Sequence, residues 1–115
     1  MIETGPELQA DVCGILHRFR RFKTAIVCDI AEMYLQVSVA KVDRQYLRFL
    51  WRKNEKIMEY EFNRLVFGLN ASPFLALLIV RENAIMWRGK FPHGVETIIK
   101  STYMDDTMDS VDSEE

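Results

Sequence analysis

Thr24-Ala25-Ile26-Val27-Cys28-Asp29 is a short run of apolar and β-branched residues that closes on a carboxylate. That composition predicts a buried strand delivering Asp29 at its end. Thr97 to Met104 reads as a second strand, followed by Asp105-Asp106 at a tight turn. If the two strands lie side by side, Asp29 meets the Asp105-Asp106 turn and three negative charges gather. A buried, unpaired carboxylate is expensive, and no base occurs in residues 24–35; Lys100 and Arg64 are the distant candidates. Mg²⁺ is the obvious neutraliser, being hard, oxygen-liganded and content with two carboxylates plus substrate phosphates. Two such ions about 4 Å apart can activate an attacking hydroxyl and stabilise a leaving oxygen in phosphoryl transfer. An Asp-Asp pair after a strand is also a common turn with no chemistry, so this spacing alone leaves both possibilities open.

Outward from these strands, Gly5-Pro6 breaks the chain, and Leu8, Val12, Ile15, Leu16 and Phe19 recur at helical spacing. The helix ends in a basic cluster, Arg18, Arg20, Arg21 and Lys23. A bent helical stretch is expected over 31–46. Leu47, Phe49 and Trp51 alternate with other residues, Arg52 to Lys56 forms a polar turn, and Met58, Tyr60 and Phe62 alternate on the return. That pattern predicts a hairpin. Ser72-Pro73 predicts a helix start, with Ser72 as N-cap. The helix over 73–88 carries a core stripe of Leu77, Val80, Ala84 and Trp87 and is expected to lie under a sheet. The order predicts an α+β fold, an antiparallel sheet with helices on one face.

The bulk composition bounds the rest. A chain of 115 residues permits one small domain. It is 49% hydrophobic and 28% charged, ordinary for a globular chain. No apolar run reaches the roughly 18 residues a membrane span needs, and no signal peptide is evident. Cys13 and Cys28 form no CxxC motif, which disfavours a zinc site or a disulfide framework. Net charge is −2, but the distribution is uneven: residues 1–100 carry +4 and the last 15 carry −6. A mildly basic body therefore ends in an acidic segment, for which a solvated terminus is the simplest expectation.

Three boxes then carry a resemblance. Tyr103-Met104-Asp105-Asp106 resembles the YxDD box of reverse transcriptases, and Asp29-Ile30-Ala31-Glu32-Met33-Tyr34-Leu35-Gln36 is similar to their first catalytic box. Leu65-Val66-Phe67-Gly68-Leu69-Asn70-Ala71-Ser72-Pro73-Phe74 resembles the second. The acidic boxes stand 76 positions apart, which fits a polymerase palm, and the resemblance covers about residues 5–112. Asp43-Arg44, Leu47 to Trp51 and Ser72 to Leu75 look most like the Pao/Bel group of LTR retrotransposons.

The resemblance implies a palm with a ferredoxin- or RRM-like core, spanning residues 1–115 as part of a larger polymerase whose fingers and thumb lie elsewhere. It implies RNA-directed DNA synthesis by the whole polymerase, with little or no activity expected of these 115 residues alone, and with two Mg²⁺ ions (Mn²⁺ as a substitute) held by Asp29, Asp105 and Asp106 and assisted by the Ile30 carbonyl. Tyr34 matches a steric gate against ribose, Phe67 and Gly68 match positions contacting the incoming nucleotide, and Met104 matches a contact to the primer terminus. The implied partners are a primed RNA or DNA template, dNTPs and the remainder of a polyprotein, without a membrane. The implied location is intracellular, in cytoplasm or virus-like particle. Val66 departs from the family, which usually has proline there. A non-catalytic retroelement remnant and an RRM-like RNA-binding module are the competing expectations.

Overall fold

A computed structural model describes residues 2–113. The chain is mixed α+β, with antiparallel sheets and four α-helices among the described residues. β1 (Thr24–Asp29), β4 (Thr102–Tyr103) and β5 (Asp106–Val111) form a three-stranded sheet in the order β1-β5-β4. β2 (Arg48–Lys53) and β3 (Lys56–Glu61) form a separate hairpin, so the sheet expected as one is divided in two.

Helix α1 spans Val12–Phe19 and starts later than the Leu8 periodicity implied, because Asp11 caps it: its carboxylate accepts the Gly14 amide at 2.8 Å. Leu8 instead packs from an extended segment against the Met33, Tyr34, Val37, Leu65, Ala76 and Leu77 cluster. The expected bent helix over 31–46 is a single turn, α2 (Met33–Gln36), then an extended link and a 3₁₀ turn at Arg44–Tyr46.

Helix α3 covers Ser72–Met86. Ser72 lies inside it rather than capping it, and its buried hydroxyl donates to the Val66 carbonyl. α3 packs chiefly on α2 and on α4 (Pro92–Ser101), not under the sheet. Leu77 and Ala84 of its stripe are buried as expected, whereas Trp87, at the helix C-cap, is 50% exposed, with its ring 6.3 Å from that of Phe91 and tilted by 38°.

The expected strand over 97–104 is the largest departure. Residues 92–101 are helical, Pro92 opens the helix, and only Thr102 and Tyr103 are extended. α4 buries Val95 and Ser101 completely or nearly so, lying beside α1 and against β4 and β5. The acidic segment expected to be solvated supplies β5, the central strand, whose Thr107 and Ser110 are buried. Hydrogen bonds make that possible: Ser110 accepts the Phe22 amide at 3.0 Å and donates to the Arg18 carbonyl, and Asp109 accepts the Thr97 hydroxyl at 2.9 Å. β1 is less buried than its composition implied; Val27 is 65% exposed.

Candidate active site

β1 and β5 run antiparallel with Asp29 opposite Asp106 at the end of the ladder. Beyond it, the Ile30 amide donates to the Asp105 carbonyl at 2.8 Å, which ties the end of β1 to the Met104-Asp105 turn. Tyr103 pairs with Asp106, so Met104 and Asp105 alone make the β4–β5 connection. Met104 adopts φ +55 there, an uncommon conformation for a residue with a side chain. The buried Thr102 and Thr107 hydroxyls, 2.7 Å apart, fasten the strands behind the turn.

This backbone brings the three carboxylates together. Asp29, Asp105 and Asp106 each offer an oxygen, and all three oxygens lie within 4.8 Å of one another. The carboxylates are exposed, so the burial cost expected from the sequence is absent and mutual repulsion takes its place. At about 4 Å, repulsion costs roughly 1 kcal/mol per pair in bulk water and roughly 4 at the effective dielectric of a protein surface. No base relieves it among the described residues: Lys100 pairs with Glu96 at 2.9 Å, and Arg64 donates to Ser38. Three hard oxygen donors, open to solvent on one side and without a counter-charge, fit a divalent cation that also holds substrate phosphates.

Of the other implied residues, Tyr34 lies near enough to Asp105 to feel its charge, and Phe67 packs on Tyr34. Glu32 in the left-handed region (φ +51) turns the chain from β1 into α2, and the Met33 amide donates to the Ile30 carbonyl at 3.2 Å. That carbonyl keeps a second lone pair. Tyr34 is buried, 8% exposed, with its ring 4.6 Å from that of Phe67. Burial, reinforced by the Asp105 charge, pushes the Tyr34 phenol above its ordinary value. Phe67 is 77% exposed, and Gly68 adopts φ +86 with nothing within 4 Å of where a Cβ would stand. Such a φ favours glycine.

Met104 faces a separate notch lined by Thr4 to Gln9, Asn70, Pro73, Phe74 and Leu77. The sequence showed Gly5 only as a chain break. In the fold it adopts φ +75 with its α-carbon against the Phe74 ring, so a side chain there would overlap the ring.

Residues 5–115 match the family model described as Reverse transcriptase (RNA-dependent DNA polymerase). The chain belongs to that family. A comparison with curated proteins finds no match. Membership places this reverse transcriptase chain among nucleotidyltransferases, enzymes that work on a primed nucleic-acid template with dNTPs and that generally use divalent metals.

Proposed function

We propose that this chain is the catalytic palm of an LTR-retrotransposon reverse transcriptase of the Pao/Bel type, extending a primer 3′-hydroxyl with dNTPs on an RNA or DNA template. The observation that carries this is the convergence of the Asp29, Asp105 and Asp106 oxygens within 4.8 Å at the joined ends of β1 and β5. Asp29 and Asp105 would hold two Mg²⁺ or Mn²⁺ ions, with the Ile30 carbonyl assisting and Asp106 making a lesser contact. Bound there, the ions lower the pKa of the attacking hydroxyl and neutralise charge on the transferring phosphoryl group.

The chain's own residues then position the reactants, which is the larger part of phosphoryl-transfer catalysis. Tyr34 excludes a ribose 2′-hydroxyl. Phe67 offers an exposed face to the incoming nucleotide, and Gly68 lets backbone approach it. Met104 rests against the primer terminus from the turn that also carries Asp105. The intact acidic cluster favours this reading over a decayed remnant. In a reverse transcriptase carrying these residues, Asp105→Asn abolishes primer extension while circular dichroism is unchanged. Robust extension by that variant contradicts the assignment.

A further inference from the structure

The turn that carries Asp105 is held by very little of its own. Its first leg, β4, is two residues long, and its ladder to β5 has two rungs, Thr102 with Thr107 and Tyr103 with Asp106. Met104 adds an unfavourable positive φ, and the three carboxylates repel one another around it. A hairpin this short is marginal in water, so both legs must be fixed from outside.

One residue touches both. Arg18, in the last turn of α1, donates from Nε to the Ser101 hydroxyl at 3.1 Å and from Nη2 to the Lys100 carbonyl. Ser101 is fully buried and ends α4, directly before β4. The backbone carbonyl of the same arginine accepts the hydroxyl of Ser110, which lies buried in β5. The side chain of Arg18 therefore holds the first leg and its main chain the second. The Thr102–Thr107 hydroxyl bond joins the legs one residue behind Tyr103 and Asp106.

Arg18 stands apart from the rest of its basic cluster. Arg20, Arg21 and Lys23 are exposed, whereas Arg18 is half-buried and, among the described residues, makes no ion pair. Its charge is directed at the C-terminal turn of α4, where helix carbonyls lack partners and the dipole is negative. Charge-assisted bonds of this kind are stronger than neutral ones. Gly14, one turn earlier on α1, leaves room for the reach: a Cβ there would stand 3.2 Å from Arg18 Nη1.

We infer that Arg18 is a positioning residue for the acidic turn, bracing α4 and β5 so that Asp105 and Asp106 stay against Asp29. The inference rests on the reading of that cluster as a cation site. Without the guanidinium the last turn of α4 frays, and carboxylate repulsion then spreads oxygens that a divalent ion needs close together.

The test is NMR of the full chain, first free of metal and then titrated with Mn²⁺. In metal-free Arg18→Met, which keeps an apolar stem without a donor, the Asp105 and Asp106 amides shift while those of Glu59 and Glu61 in the β2–β3 hairpin do not. The Mn²⁺ concentration that half-broadens Asp105 and Asp106 rises on the order of tenfold. Arg18→Lys, able to reach one of the two acceptors, recovers part of this. Ser101→Ala cuts a single bond and serves if the methionine variant does not fold; it moves the same amides by less. Val80→Ala lowers the melting temperature through the α3 packing and leaves the half-broadening concentration at its wild-type value. Unshifted Asp105 and Asp106 amides in the folded variants, or an unchanged half-broadening concentration, overturn the proposal. So does an equal rise in Val80→Ala, which would reduce the effect to a general loss of stability. A wild type without localised broadening defeats the cation-site reading instead, and the metal-free shifts still decide the brace.

Discussion

Asp29 and Asp106 are register partners in the last rung of the β1–β5 ladder, so two residues 77 positions apart place like charges opposite each other. The fold spends stability on that placement, and removing a charge returns some of it. Asp105→Asn, which relieves repulsion from both neighbours, should stabilise the metal-free chain by about 1 kcal/mol. Urea denaturation in the presence of a chelator measures this. A clear loss of stability would mean the Asp105 carboxylate is a structural acceptor rather than an unneutralised ligand.

The proposed role of Tyr34 in sugar selection rests on its being packed in place. Its ring is buried and packed against Phe67, so under the proposed role a ribose hydroxyl would meet overlap rather than a weaker attraction. Tyr34→Val in a reverse transcriptase carrying this palm should admit ribonucleotides, with kcat/KM rising about tenfold for each ~1.4 kcal/mol of relieved overlap. Tyr34→Phe should stay selective, because the ring does the excluding. Single-nucleotide incorporation of dNTP against rNTP decides it; a valine variant as strict as wild type moves the gate elsewhere.

The same side chain carries a pH signature. Burial first, and the Asp105 charge second, raise the Tyr34 phenol above its ordinary value of 10.0. A raised folded value means the unfolded chain ionises first, so this contribution is fully present below pH 10.0 and is lost as pH climbs toward the folded value. Stability should therefore fall more steeply above pH 10 in wild type than in Tyr34→Phe, and the last tyrosine to ionise in a spectrophotometric titration should vanish in that variant. Parallel stability curves for the two proteins would remove Tyr34 from the account.

Much of this fold is legible locally. β1, the β2–β3 hairpin and α3 announce themselves through β-branched content, strict alternation and Ser72-Pro73 before an apolar run. The acidic site is legible because its carboxylates sit inside short recognisable boxes. α4 is not, since Thr97-Ile98-Ile99 favours a strand by local preference and becomes helical only through burial beside α1 and β5. β5 is not either, because a strand of acids and hydroxyls becomes central only when Phe22, Arg18 and Thr97, distant or separate in sequence, supply its hydrogen bonds. Nor could the exposure of the acids be read: a strand's composition gives no depth, and β1 lies with Val27 facing solvent.

Gly5 ties the N-terminal segment to α3 and thereby shapes the notch beside Met104. Gly5→Ala should cost about 2 kcal/mol or more, combining an unfavourable positive φ with overlap on the Phe74 ring. Adding Phe74→Leu should recover the overlap part only, leaving a favourable coupling in the double-mutant cycle. A Gly5→Ala protein within about 0.5 kcal/mol of wild type would show that the segment is not held as described.

The central claim is that Asp29, Asp105 and Asp106 together bind divalent cations, and Mn²⁺ titration followed by NMR tests it without any activity. Paramagnetic broadening should appear first at the amides of Asp29, Ile30, Asp105 and Asp106, reverse on adding excess Mg²⁺, and disappear in Asp105→Asn. Broadening spread evenly over the chain's other acids, such as Glu59, Glu96 and Asp112, and unchanged in Asp105→Asn, would contradict the claim.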